Sequence, residues 1–259
     1  MLSIIIPHRD RVRTLTMCLW SLRRSATFCP DKDWEVVVAD AGTALIPYYR
    51  NVEVVHDPTH GELFNKSRLL NIGIAESVGD VLVFLDADAL VGTHFLESTL
   101  PLRDPGLTKL CYRVKCLPVK WLGTLERLPE EERGDRLDEF FADWDRYEKG
   151  FEGYGTPEDG WWRKHHGPPP EPIFGNSQFA IRREVLGDIR FNEDFVGGGY
   201  EDIWMNREIF RRTPNYRAEM VTEPEHAMFH LHEKRVYIKD DPWCDQRIIE
   251  ANVKRYEAS

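Results

Sequence analysis

The chain has 259 residues, a formal net charge of −10 and 42% hydrophobic residues. Its acidic balance excludes a general affinity for nucleic-acid phosphate, which needs a basic face, and no apolar run approaches the about 18 residues of a membrane-spanning helix. The odd set of cysteines, Cys18, Cys29, Cys111, Cys116 and Cys244, lacks the paired spacing of a zinc site and reads as reduced thiols.

Met1-Leu2 leads straight into an apolar strand over Ser3–Ile6, followed by Pro7. This start has neither the basic residues nor the cleavage site of a signal peptide, so a cytoplasmic protein is expected. From Arg11 to Arg24, Leu15, Cys18, Leu19 and Leu22 recur at helical spacing. Trp34–Ala39 is a second strand ending at Asp40-Ala41-Gly42, and Val52–Val55 a short third one. A helix over Asn65–Ser77 carries Leu69, Leu70, Ile72, Gly73 and Ala75, and Gly79-Asp80 turns the chain into the strand Val81–Leu85. Strands alternating with helices predict βαβ units on a mostly parallel central sheet flanked by helices, an α/β fold.

Residues 117–172 differ in kind. They hold the acidic run Glu130-Glu131-Glu132, a predicted amphipathic helix with Leu137, Phe140, Phe141, Trp144 and Tyr147 on one face, and a Gly/Pro-rich stretch containing Trp161 and Trp162. The helix aromatics read as core, whereas the two indoles fit either a lid or sugar platform or simple surface packing. No linker-like stretch divides the chain, so one domain over residues 1–259 is expected.

Chemistry concentrates at three places. The strand Val81–Leu85 ends in Asp86-Ala87-Asp88, two carboxylates at the strand edge where open α/β sheets bind ligands. Their spacing suits Mg2+ or Mn2+, which take one or two carboxylates together with substrate phosphates, although an Asp turn capping the next element is the bland alternative. Glu201 and Asp202 follow Gly197-Gly198-Gly199-Tyr200 and open a predicted helix. They border a ligand-sized gap, or merely favour the helix dipole. Last, His226, His230 and His232 cluster around Met228, and at least one is expected to bind metal.

Five stretches in order carry a resemblance: Ile4-Ile5-Ile6-Pro7-His8-Arg9-Asp10-Arg11, Phe64 to Gly73, Asp86-Ala87-Asp88, Phe174-Gly175-Asn176-Ser177 through Gly198-Gly199-Tyr200-Glu201-Asp202, and Met228 to His232. In these the chain resembles the GT-A glycosyltransferases, in the branch holding the inverting β-1,4-galactosyltransferases and the family 2 enzymes. The resemblance implies a single Rossmann-like GT-A domain with a nucleotide-sugar-binding half (1–116), a loop-rich acceptor-side insertion (117–172) and an acceptor and catalytic half (173–259). It further implies a metal-dependent inverting transfer of a sugar from a nucleoside-diphosphate sugar, with UDP favoured, to an acceptor hydroxyl on a saccharide, glycolipid, peptide or small molecule.

On that resemblance Pro7, Arg9 and Arg11 line the nucleotide pocket, Asp40 sits near base or ribose, Phe64 packs on uracil and Lys66 faces the nucleotide. Asp86 contacts donor sugar or ribose. Asp88 binds Mn2+ or Mg2+ with His232, or with His230 next to it. Asp202 is the base and Glu201 orients the acceptor. The indole that precedes the acidic motif in galactosyltransferases is replaced here by Phe195-Val196-Gly197-Gly198-Gly199, so galactose itself is not carried over. Two other classes stay open: a nucleotidyltransferase, against which the glycine-free Pro7–Arg11 segment argues, and a non-catalytic carbohydrate- or protein-binding module on the same fold.

Overall fold

A computed structural model of the chain describes residues 1–31, 33–57, 63–118, 120–146, 178–197, 199–232 and 246–258. Four parallel strands, β1 (Leu2–His8), β2 (Trp34–Asp40), β3 (Val52–His56) and β4 (Val81–Phe84), form one side of a sheet in the order β3-β2-β1-β4. Beyond β4 the sheet continues through three shorter strands. β8 (Phe179–Arg182) runs antiparallel between β4 and β6 (Lys109–Tyr112), and β9 (Ala218–Val221) closes the far edge parallel to β6. The expected mostly parallel sheet is therefore present, with one antiparallel strand set into it.

Every residue of β1 is buried, as a β-branched run covered on both faces requires. Alternation decides which face each side chain serves. Ile4 and Ile6 join Leu15, Cys18, Leu19 and Leu22 of α1 (Val12–Phe28), while Ile5 joins Leu70 and Ile74 of α2 (Lys66–Glu76). The Asn65 side chain caps α2 by accepting the Arg68 amide at 3.0 Å. α2 can lie close on the sheet because it carries Gly73, where an added Cβ would sit 2.3 Å from Ile5 Cγ2.

A second sheet of three strands was not foreseen. β5 (Ala89–Val91) and β7 (Val114–Pro118) flank β10 (Met228–His232), antiparallel and parallel respectively. Over it lie α3 (Lys120–Arg127) and α4 (Glu130–Ala142), whose Leu122, Leu125, Leu137, Phe140 and Phe141 form one cluster with Trp144, Trp20 and Phe229. The predicted core role holds for Leu137, Phe140, Phe141 and Trp144, although α4 ends before Trp144; Tyr147 lies outside the described residues. Of residues 117–172, the structure describes 117, 118 and 120–146, mostly helical, with Glu130, Glu131 and Glu132 in the first turn of α4, where acids favour the dipole. Trp161, Trp162 and Phe174–Ser177 lie outside the described residues. The remaining helices are a single turn, α5 (Arg183–Leu186), then α6 (Glu201–Arg212) and α7 (Gln246–Ala258).

Gly92, just after β5, abuts the loop leading to β10. A Cβ there would stand 2.2 Å from the Glu225 carbonyl oxygen, a backbone atom that cannot rotate aside. Gly92→Ala is expected to destabilise the protein by about 2–3 kcal/mol through overpacking, read as a lower urea midpoint with an unchanged denaturant slope; an unshifted midpoint would contradict the close packing.

Candidate active site

The C-terminal edge of the sheet gathers side chains from β1, the β4–β5 turn, α2, α6 and β10. Asp86 and Asp88 occupy the tight turn between β4 and β5, where the Asp86 carbonyl accepts the Ala89 amide at 3.1 Å. The antiparallel register of β10 on β5 sets His230 opposite Ala89, and the Leu231 amide donates to the Asp88 carbonyl at 2.7 Å. His230 Nε2 consequently lies 3.0 Å from Asp88 Oδ1, and Arg11 Nη1 lies 3.0 Å from Asp88 Oδ2. Burial alone would raise the Asp88 pKa. His230, Arg11 and Lys66 outweigh it and hold the carboxyl well below the usual carboxylate range.

Asp86 is gripped from two sides. Lys66 Nζ stands 2.6 Å from Oδ1. Gln178, which the sequence reading missed, donates its side-chain amide to Oδ2 and accepts the Asp86 backbone N–H at 2.9 Å. One ligand atom from each of Asp86, Asp88 and His230 lies within 4.8 Å of the others. Two carboxylates and an imidazole converging from a turn and a neighbouring strand are a donor set that suits a divalent ion such as Mn2+, so the residues present fit the metal expected here. Of the two histidines weighed for this role, His230 is the one beside Asp88; the His232 side chain lies outside the described residues. Met228 is fully buried among core residues.

Lys66 also points the other way, 3.8 Å from Glu201 Oε1, and links the Asp86 turn to the first turn of α6. The chain enters that helix through Gly199 and Tyr200, both with positive φ, of 92° and 74°. For Tyr200 this is a strained conformation of the kind found at functional sites. Gly197, φ 78°, donates its amide to the Phe64 carbonyl at 2.9 Å and so ties this entry to that of α2.

Glu201 is buried and Asp202 half-buried. Burial and the Asp202 charge push Glu201 up to about 7 against the pull of Lys66. Burial also raises Asp202, opposed by Lys66 and by the Ile203 amide. Because the fold favours protonated Glu201, the native state binds more protons than the unfolded chain between the ordinary glutamate pKa of 4.5 and about 7, and stability falls as pH rises through that window. Glu201→Gln is therefore expected to gain stability relative to the wild type as pH rises from about 4 to about 8. Urea denaturation of both proteins at the two pH values measures this, and parallel pH profiles would refute it.

The residues expected on the nucleotide side form a second network. His8, absent from the sequence-derived candidates, is fully buried; its Nε2 accepts the Arg11 amide at 3.0 Å, so its Nδ1–H donates to Asp40 Oδ1 at 2.8 Å. The same carboxylate accepts the Gly42 amide at 2.9 Å, and its Oδ2 lies 3.2 Å from Nδ1 of the exposed His56. Burial opposes the charge on Asp40, but His8, Gly42 and His56 more than offset it and lower its pKa. Asp40 is thus committed to bracing the loop after β1. Pro7 is buried in that strand, Arg9 stands half-buried in the loop after it, and Phe64 is half-buried at the entry of α2. Asp10, with φ 54°, fastens the neighbouring loop by accepting the amides of Thr43 at 2.8 Å and Ala44 at 3.2 Å.

Fold and crevice can be set beside known proteins. Residues 3–105 match the family model for Glycosyl transferase family 2. No curated protein matches the chain by sequence. Among solved structures, S. aureus TarS 1–349 is similar with a TM-score of 0.58 at 16% identity over 89% of this chain and 60% of its own. The mannosyltransferase PcManGT from Pyrobaculum calidifontis, in complex with GDP-Man and Mn2+, reaches 0.54 at 20% identity over 91% and 58%. Glucosyl-3-phosphoglycerate synthase from Mycobacterium tuberculosis, with phosphoglyceric acid, reaches 0.56 at 16% identity over 99% and 80%. The chain thus spans about 60% of the length of the TarS fragment. The mixed sheet and these similarities show the GT-A fold. Within that fold, residues 3–105 carry the Glycosyl transferase family 2 sequence pattern.

Proposed function

We propose that the chain is a metal-dependent inverting glycosyltransferase that moves a sugar from a nucleoside-diphosphate sugar to an acceptor hydroxyl. The observation that carries this is the pairing of two sites across Lys66: the Asp86, Asp88 and His230 cluster on one side and the buried acids Glu201 and Asp202 on the other. Asp88, His230 and Asp86 would hold Mn2+ or Mg2+, which when bound neutralises charge on a diphosphate leaving group. Arg11, now on Asp88, is the guanidinium free to turn to phosphate oxygens, for which its planar fork is suited. Asp202 takes the acceptor proton during attack opposite the leaving group, and its desolvated setting makes it a stronger base than an exposed aspartate. Glu201, protonated up to about pH 7, can donate a hydrogen bond to the acceptor.

UDP is the favoured nucleotide because TarS is known in complex with UDP and with UDP-GlcNAc; PcManGT, bound to GDP-Man, makes GDP-sugars the comparison. No described helix is long and apolar enough to cross a membrane. Release of nucleoside diphosphate from a panel of UDP- and GDP-sugars with Mn2+, with and without chelator, tests the proposal. Chelator-sensitive release of UDP is expected. Failure of UDP and GDP alike to bind in the presence of Mn2+ would leave the binding-module reading in its place.

A further inference from the structure

Lys109 is a buried cation that the mechanism leaves unused. It sits on β6 with no exposed surface, in a place where a charged amine is costly. Its ammonium donates to Asn206 Oδ1, lies 4.3 Å from the centroid of the Phe179 ring and meets the Cys111 thiol on its own strand. Burial pushes its pKa down, while Cys111 and Asp202 push back. An apolar side chain of the same length would fill this space between Phe179 and α6 without the desolvation penalty, so stability does not explain the residue.

What Lys109 reaches does explain it. Asn206, 1% exposed, turns its side-chain amide back to donate to the Asp202 carbonyl at 2.7 Å. A single chain of hydrogen bonds therefore runs from the sheet through α6 to the backbone of the proposed base. That turn begins at Tyr200, whose side chain makes no cap hydrogen bond to the helix and whose backbone is left-handed after Gly199, and the anchor beneath helps to fix it.

We propose that Lys109 is a positioning residue of the transfer reaction, fixing the first turn of α6 through Asn206 so that the Asp202 carboxylate meets the acceptor hydroxyl. This rests on the reading of Asp202 as the base. Displacing a reacting group by about 1 Å can lower turnover about a hundredfold. Lys109→Met is therefore expected to reduce kcat by about 10- to 100-fold while leaving the melting temperature and the Kd for UDP with Mn2+, measured by calorimetry, unchanged. Asn206→Ala should show the same split, and the double variant should be no worse than the poorer single one, because both cut one chain. If Lys109→Met does not fold, Asn206→Ala decides by the same measurements.

Asp202→Asn separates the two readings. Full turnover in that variant would remove the base assignment and the role of Lys109 with it. If Asp202→Asn is inactive while Lys109→Met and Asn206→Ala keep the wild-type kcat, or lose it only in step with weaker UDP–Mn2+ binding, the role of Lys109 alone is overturned.

Discussion

Asp202→Asn is expected to lower kcat by about 10²–10⁴-fold, the usual contribution of a positioned general base, while UDP still binds with Mn2+. The amide keeps the shape of the side chain and the contact with the Ile203 amide at 2.8 Å but cannot take a proton. Asp202 is not among the ligand atoms grouped at Asp86, Asp88 and His230, so donor binding serves as the internal control. The wild-type pH profile adds a second reading. Since burial raises the Asp202 pKa and the base must be ionised, turnover should fall as pH drops through a value above that of an exposed aspartate. Equal loss of donor affinity and turnover in Asp202→Asn would move the residue from catalysis to donor binding.

Asp88→Asn should abolish the metal dependence of nucleotide binding. Loss of an outer partner of a metal site commonly weakens affinity 10- to 100-fold, so loss of a direct carboxylate ligand is expected to weaken Mn2+ at least about a hundredfold. UDP titrations of the variant with and without Mn2+ should then coincide, as should those of the wild type after chelation. The stability consequence has the opposite sense to that of Glu201→Gln. The depressed Asp88 pKa stabilises the fold above the ordinary carboxylate range and is lost only as pH falls below it, so the variant should be less stable than the wild type at pH 7 and approach it in acid. Persisting Mn2+-dependent UDP binding in Asp88→Asn would place the metal elsewhere.

Much of the nucleotide-side fold follows from local pattern. The apolar runs Ser3–Ile6 and Val81–Leu85 and the helical spacing in α1 and α2 are each complete within a few residues, and their observed ends differ from the expected ones by only a few positions. Asp86 and Asp88 were visible for the same reason: a buried strand that stops at two carboxylates announces a sheet edge. His8 was not visible, because a histidine within an apolar strand looks like any other core residue until β2 is laid beside β1 and brings Asp40 to it. Gln178 and Lys109 escaped likewise; neither belongs to a motif, and each acquires meaning only from a partner, 92 residues away for Gln178 and 97 for Lys109.

The small sheet marks the boundary most sharply. β5 has three residues and β7 and β10 five each, too short for a period to declare itself, and they pair across more than a hundred positions of chain. That pairing nevertheless sets His230 on Asp88. The sequence by itself determined the α/β alternation, the acidic turn after β4 and the acids that open α6, since each is written in neighbouring residues. Only the tertiary structure decided which cation faces which carboxylate, with Lys66 between Asp86 and Glu201 and Arg11 on Asp88. Charge pairing at that range depends on strand register and helix packing, which no local stretch of the chain contains.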